Sequence, residues 1–265
     1  MGERVKDKIA IVFGGGQTPG ETIGNGRATC LLLADEGATV VVVDRDLASA
    51  EDTVRLVRER TGNAEPLAAD ITSEDQVKRV IEAVLAKYGR IDILHNNVGA
   101  SLALGDAPAT DLETEAFDRL VAVNLRGMWY ACKHTIPIMR EHQSGSIVNI
   151  SSMAARSAYP YLGYKATKAA VIAMTENIAM ANARYGIRAN VILPGLMNTP
   201  MAIEARVAAG TPREEVIAGR DRQVPLGRKM GSGWDTAYAA LFLHSDEAKF
   251  ITGVSLPVDG GASVS

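Results

Sequence analysis

Ser152, Tyr164 and Lys168 are the residues of this chain whose types and spacing can do chemistry. On one helix Tyr164 and Lys168 stand at i and i+4 and share a face. A phenol beside a fixed ammonium is a proton carrier, because the positive charge draws the phenol down from its ordinary pKa of roughly 10. Interconversion of a carbonyl and an alcohol needs such a carrier, a group that polarises the oxygen and a partner for the hydride.

The elements that must position these groups follow a regular alternation. Short apolar, β-branched runs at 9–13, 39–43, 91–95, 146–150, 189–193 and 254–258 suit strands buried on both faces of a parallel sheet. Between them, 47–60, 73–88, 112–140 and 158–184 carry helical apolar spacing, and Ser73 followed by Gln76 reads as a capping box. The expected fold class is α/β, a doubly wound Rossmann-type parallel sheet. No repeat or linker divides the chain, so 1–265 reads as one domain. The irregular stretch 196–229 reads as a substrate lid.

After the first strand comes a glycine-rich segment that opens a helix, where backbone N–H groups favour a pyrophosphate. Asp44 closes the second strand; its carboxylate can accept from both adenosine ribose hydroxyls and repels a 2′-phosphate, which favours NAD over NADP. Together with the Ser/Tyr/Lys set, these segments resemble the short-chain dehydrogenase/reductase family nearly end to end. The resemblance rests on the glycine-rich 14–26, Asp44, Asp70-Ile71, Asn96-Asn97-Val98-Gly99, Asn124, Ser152/Tyr164/Lys168, Pro194-Gly195, Asn198-Thr199-Pro200-Met201 and Val258-Asp259-Gly260-Gly261. The glycine-rich loop departs from the family pattern: Gly14, Gly24 and Gly26 match its three glycines with about six extra residues before Gly24, and Phe13 replaces the usual threonine. Which hydroxyls meet the phosphates, Thr18 or Thr22 among them, is left open by that departure.

The resemblance implies an NAD-dependent oxidoreductase acting on a secondary alcohol or ketone. In it Tyr164 is the general acid/base, Lys168 lowers its pKa and bonds the nicotinamide ribose, Ser152 bonds the substrate oxygen, and Asn124 holds a water chain behind Lys168. Asp70 and Ile71 would hold the adenine edge, Asn97 and Gly99 would line the ribose side, and Pro194, Gly195, Met197 and Thr199 would meet the nicotinamide end, Thr199 at the carboxamide. Tyr161 also satisfies Tyr-x-x-x-Lys through Lys165, but the small residues after Tyr164 and the 12-residue spacing from Ser152 favour Tyr164. Ser152 is preferred to Ser151 on its position after the strand. Two other readings stand beside this one: an enoyl-thioester reductase of the same superfamily using Tyr161 and Lys168, and a catalytically idle nucleotide-binding protein.

Composition narrows the field. A net charge of −3 without a basic cluster argues against nucleic-acid binding, and no run approaches the roughly 18 apolar residues of a membrane span. Cys30 and Cys132 lie in apolar helical stretches and read as buried thiols, which suits a cytoplasmic protein. His95, His134, His142 and His244 lack metal-ligand spacing, so no metal is expected. Apolar positions on more than one side of the long helices, with the family resemblance, point to a homotetramer. The substrate pocket reads as apolar with aromatic walls; Arg206, Arg213 and Arg220 read as a solvated face, with carboxylate capture as the alternative.

Overall fold

The computed structural model describes residues 2–265. Seven parallel strands form one sheet in the order β3-β2-β1-β4-β5-β6-β7: β1 (Ile9–Phe13), β2 (Thr39–Asp44), β3 (Asn63–Ala68), β4 (Ile93–Asn96), β5 (Gly145–Ile150), β6 (Ile187–Pro194) and β7 (Ser255–Val258). The expected doubly wound sheet is therefore present. Alternation along β1 shows why its run is continuously apolar. Ile9, Ile11 and Phe13 pack with α3 (Glu74–Tyr88), α5 (Gly127–Glu141) and α6 (Leu162–Asn182), while Ala10 and Val12 pack with α1 (Asn25–Asp35), α2 (Leu47–Glu59) and α9 (Gly233–His244). The strand order reverses between β1 and β4, and a crevice at the carboxyl ends of such strands is where ligands sit in this topology.

Several local expectations change. β3 was not anticipated, because Asn63-Ala64-Glu65-Pro66-Leu67-Ala68 is polar and half-exposed; as an edge strand it needs no apolar run and tolerates Pro66. Ser73 caps α3 without a side-chain bond, and Gln76 instead accepts from the Asp70 backbone N–H at 2.9 Å. The stretch 112–140 is not one helix: α4 (Thr114–Val121) passes into a π-helical turn (Ala122–Arg126) before α5. Such turns cluster at functional sites, and this one holds Asn124. The 196–229 stretch contains α7 (Pro200–Ala208) and α8 (Arg213–Asp221).

Cys30 and Cys132 are free and buried, as expected of small core side chains. His95 and His244 form a buried pair, Nδ1 to Nε2 at 3.3 Å, with Ser146 Oγ 3.0 Å from His244 Nδ1. Desolvation pushes His95 down to about 3 and His244 well below its usual value.

Candidate active site

β5 delivers the serines. Because an extended chain alternates sides, Ser151 turns into the core, its Oγ donating to the Lys168 carbonyl at 2.6 Å, while Ser152 turns to the crevice. Ser152 Oγ accepts from Ala154 N at 3.1 Å, and its hydroxyl lies near enough to the Tyr164 phenol to pull the phenol's pKa down. Lys168 follows one turn after Tyr164 on α6: its Nζ lies 5.6 Å from the Tyr164 ring centroid and donates to the Ile150 carbonyl at 2.8 Å. Tyr161 stands just before the helix, its ring edge-on to Tyr159 at 5.6 Å. The structure thus gathers Ser152, Tyr164 and Lys168 and leaves Tyr161 outside the cluster.

The electrostatics of the pair differ from the sequence expectation. Burial pushes the Tyr164 phenol up to about 12, with the Ser152 hydroxyl pulling down and the neighbouring Tyr159 and Asp106 pushing up; burial also brings Lys168 down to about 8. Desolvation disfavours the charged form of each group in the free protein. Lowering the phenol's pKa therefore takes added positive charge in the crevice.

Asp106 is a site residue that sequence reasoning missed. Its buried carboxylate accepts from the backbone N–H of Gly163 at 2.9 Å and of Tyr164 at 3.0 Å, satisfying two donors of the first turn of α6. The same carboxylate accepts from Ser101 Oγ at 2.8 Å, which in turn meets the Tyr159 hydroxyl at 3.2 Å. Tyr159 completes the wall, its ring 5.7 Å from that of Tyr164. No local motif marks Asp106, because its partners lie 57 and 58 residues away.

Asn124, fully buried, is held on both amide atoms: Oδ1 accepts from Ala100 N and Nδ2 donates to Ala100 O, each at 2.9 Å, with Thr167 Oγ1 at 3.3 Å. It ties the loop after β4 to the π turn and to α6. Gly99 passes between these groups: a Cβ on it would stand 2.8 Å from Lys168 Nζ.

The glycine-rich loop forms a cradle at the carboxyl end of β1. Gly14 takes a positive φ of 76° and its carbonyl accepts from Asn97 Nδ2 at 3.0 Å; a Cβ on Gly26 would lie 2.0 Å from that same carbonyl oxygen. Gly24 precedes α1, whose first turn carries no acidic residue and so leaves the helix N-terminus free for an anion. The extra residues close on Gln17, which accepts from Gly24 N at 2.7 Å and donates to Thr22 O at 3.1 Å, so this amide ties the loop. Asp44 accepts from Gly16 N at 3.1 Å, and a Cβ on Gly16 would strike its carboxylate. These glycine-kept spaces, ending at a carboxylate, fit an adenine dinucleotide. Asp70 Oδ1 accepts from the N–H and hydroxyl of Thr72, and Ile71 packs against Gly127.

The residues expected at the nicotinamide end lie at the close of β6 and just beyond it. Pro194 ends that strand, Gly195 N donates to Val258 O at 2.9 Å, and Met197 is buried beside Gly231. Buried Thr199 precedes α7, with Pro200 in the first turn. The 196–229 segment and the glycine-rich loop are joined by Arg213, which pairs with Glu204 at 2.7 Å and Glu21 at 3.4 Å.

Comparison with known proteins extends this geometry. A family model described as enoyl-(acyl carrier protein) reductase matches residues 21–263. The chain is 36% identical over 259 residues to a 3-oxoacyl-[acyl-carrier-protein] reductase of Thermotoga maritima, covering 97% of this chain and 98% of that one. It is 35% identical over 264 residues to levodione reductase of Leifsonia aquatica, covering 98% and 96%. A crystal structure from Burkholderia xenovorans, described as of a short-chain dehydrogenase/reductase, superposes with a TM-score of 0.94 at 38% identity over 99% of both chains.

Proposed function

The chain belongs to the short-chain dehydrogenase/reductases, oxidoreductases that use NAD(H) or NADP(H), and within them we propose that it interconverts a secondary alcohol and a ketone with NAD, Tyr164 acting as general acid and base. One observation carries the reading: Ser152 and Lys168 are gathered beside the Tyr164 ring, Lys168 Nζ 5.6 Å from its centroid, at the end of the sheet that also carries the Gly14/Gly26 cradle and Asp44.

When bound, the nicotinamide ring exchanges the hydride with the substrate carbon and, in its oxidised form, brings positive charge to the site. Asp44 takes the adenosine ribose hydroxyls; Gly14, Gly24 and Gly26 admit the pyrophosphate to the start of α1. Asp70, Ile71, Asn97 and Gly99 flank the adenosine half, and Pro194, Gly195, Met197 and Thr199 the nicotinamide half. Ser152 Oγ donates to the substrate oxygen. Tyr164 Oη takes the hydroxyl proton during oxidation and returns one to the carbonyl oxygen during reduction. Lys168 supports the phenolate and reaches the nicotinamide ribose, while Asn124 fixes the loop that backs it. The 196–229 segment covers the substrate as a lid on this single domain.

Tyr164→Phe should abolish turnover, a loss of at least about 10³-fold, while NADH still binds; turnover near that of the parent enzyme would overturn the assignment. The enoyl-thioester reading has the description of the family model in its favour and Tyr161 as its proton donor. It predicts NADH-dependent reduction of a crotonyl thioester that survives Tyr164→Phe. A homotetramer is supported by exposed Trp129 on α5 and Met180 on α6, and a cytoplasmic setting by the two unpaired thiols.

A further inference from the structure

Resting on this oxidoreductase reading, we propose that the substrate carries an anionic group away from the reacting carbon, a carboxylate or a phosphate ester, bound between Arg206 of α7 and Arg220 of α8.

The three lid arginines divide by their partners. Arg213 is committed to Glu204 and Glu21. Among the described residues no carboxylate lies within ion-pair distance of Arg206 or Arg220. Their polar contacts are meagre for groups with five N–H donors each: Arg206 Nη1 donates to the carbonyl of Ala202, one turn back, and Arg220 Nε meets the Met230 thioether at 3.2 Å. Asp221, the acidic group beside Arg220 in the chain, gives Oδ1 to the Met230 N–H at 2.8 Å.

Arg220 lies on Met230, whose neighbour Gly231 bridges Met197 just beyond β6, and α7 packs on α8 and carries Arg206. The charges of both arginines reach Tyr159, whose ring lies 5.7 Å from that of Tyr164, whereas Arg213 faces the glycine-rich loop. Burial brings Arg220 down to about 10, and the charge of Arg206 beside it pushes in the same direction. Two neighbouring guanidiniums, one largely desolvated and neither paired, form an arrangement that an anion stabilises from both sides. Guanidinium forks match the oxygens of a carboxylate or phosphate in two-point contact.

The test compares kcat/KM for 4-hydroxycyclohexanecarboxylate with its methyl ester, for 3-hydroxycyclohexanecarboxylate with its ester, and for 4-hydroxycyclohexyl phosphate with cyclohexanol, in the parent enzyme and in Arg206→Met, Arg220→Met and Arg220→Lys. The anionic member of a pair should win by about 30-fold or more, the value of one buried charge-assisted contact. A larger margin for the acids identifies a carboxylate, a larger margin for the phosphate a phosphate ester. Both Met variants should bring the ratio towards one, and Arg220→Lys, which keeps charge without the fork, should fall between. Equal turnover of acids and esters by the parent enzyme would overturn the inference, as would a ratio that survives both Met variants. Weakened NADH binding in either Met variant would also overturn it by assigning the arginines to the cofactor. If no compound turns over with NAD or NADP, the oxidoreductase reading itself fails. Calorimetry of cyclohexanecarboxylate with the NADH-loaded protein still decides the anion site: binding lost in both Met variants supports it, and no binding refutes it.

Discussion

Replacing Asp106 should damage the site through a helix start rather than through any contact with substrate. Its carboxylate accepts the Gly163 and Tyr164 N–H groups at 2.9 and 3.0 Å, so the first turn of α6 and the Tyr164 backbone hang on it. Asp106→Asn turns an amide NH2 towards one of those donors, leaving it unsatisfied at about 1–3 kcal/mol. Losing the negative charge at the helix N-terminus adds about 0.3–1 kcal/mol. A total near 2–3 kcal/mol corresponds to a fall in Tm of roughly 5–10 °C for a chain of this size. Asp106→Ala, which frees both donors, should fall further. A phenol displaced by about 1 Å can cost about 10²-fold in rate, so kcat for Asp106→Ala should drop about 10- to 100-fold with the KM for NAD little changed. The decisive reading is the pH profile. Asp106 helps to raise the Tyr164 pKa, so Asp106→Asn should move the acid limb of kcat for alcohol oxidation, which reports ionisation of the phenol, to lower pH. Scanning calorimetry and kcat across pH 6–10 check this. An Asp106→Ala protein with the parent Tm and kcat, or an Asp106→Asn profile unmoved or shifted to higher pH, would refute the reasoning.

Asp44→Ala should raise the KM for NAD about tenfold or more and that for NADP much less, because the carboxylate at Gly16 is the group proposed to meet the ribose hydroxyls; equal changes would sink the NAD assignment. Gly26→Ala puts a methyl 2.0 Å from the Gly14 carbonyl oxygen, beyond ordinary overpacking, and should cost at least about 3 kcal/mol in urea unfolding; a neutral result would refute this packing. The buried His95/His244 pair sets an acid limit. Both pKa values are depressed in the folded chain, so below about pH 6.5 the unfolded chain takes up protons that the folded one does not, and stability falls with pH by at most about 2.7 kcal/mol per unit. For His95 the loss continues until pH nears about 3. Urea titrations between pH 7 and 5 check the slope, and a flat profile would contradict the burial.

Much of the architecture is legible in the chain because it is encoded locally. The run 9–13 is apolar at every position because both faces of β1 are covered, and that pattern survives in one dimension. β3 is illegible for the complementary reason: at the sheet edge, with half its surface open, its sequence carries no apolar signature. The capping-box reading at Ser73 failed on a rival contact, since Gln76 reaches the Asp70 backbone instead.

The candidate site divides along the same line. Spacing alone places Lys168 one turn from Tyr164 and separates Ser152 from Ser151, because helix and strand periodicity decide which neighbours share a face. Only the tertiary structure shows Asp106 holding the start of α6, Asn124 committed to Ala100 from a π turn, and Arg213 spent on two carboxylates while Arg206 and Arg220 stay unpaired. It also decides the charge balance of the site: a lysine beside a tyrosine reads as an activated phenol, yet burial leaves Tyr164 at about 12 and Lys168 at about 8. Periodicity belongs to the residues of one element, whereas desolvation and long-range pairing depend on what the rest of the fold packs around them.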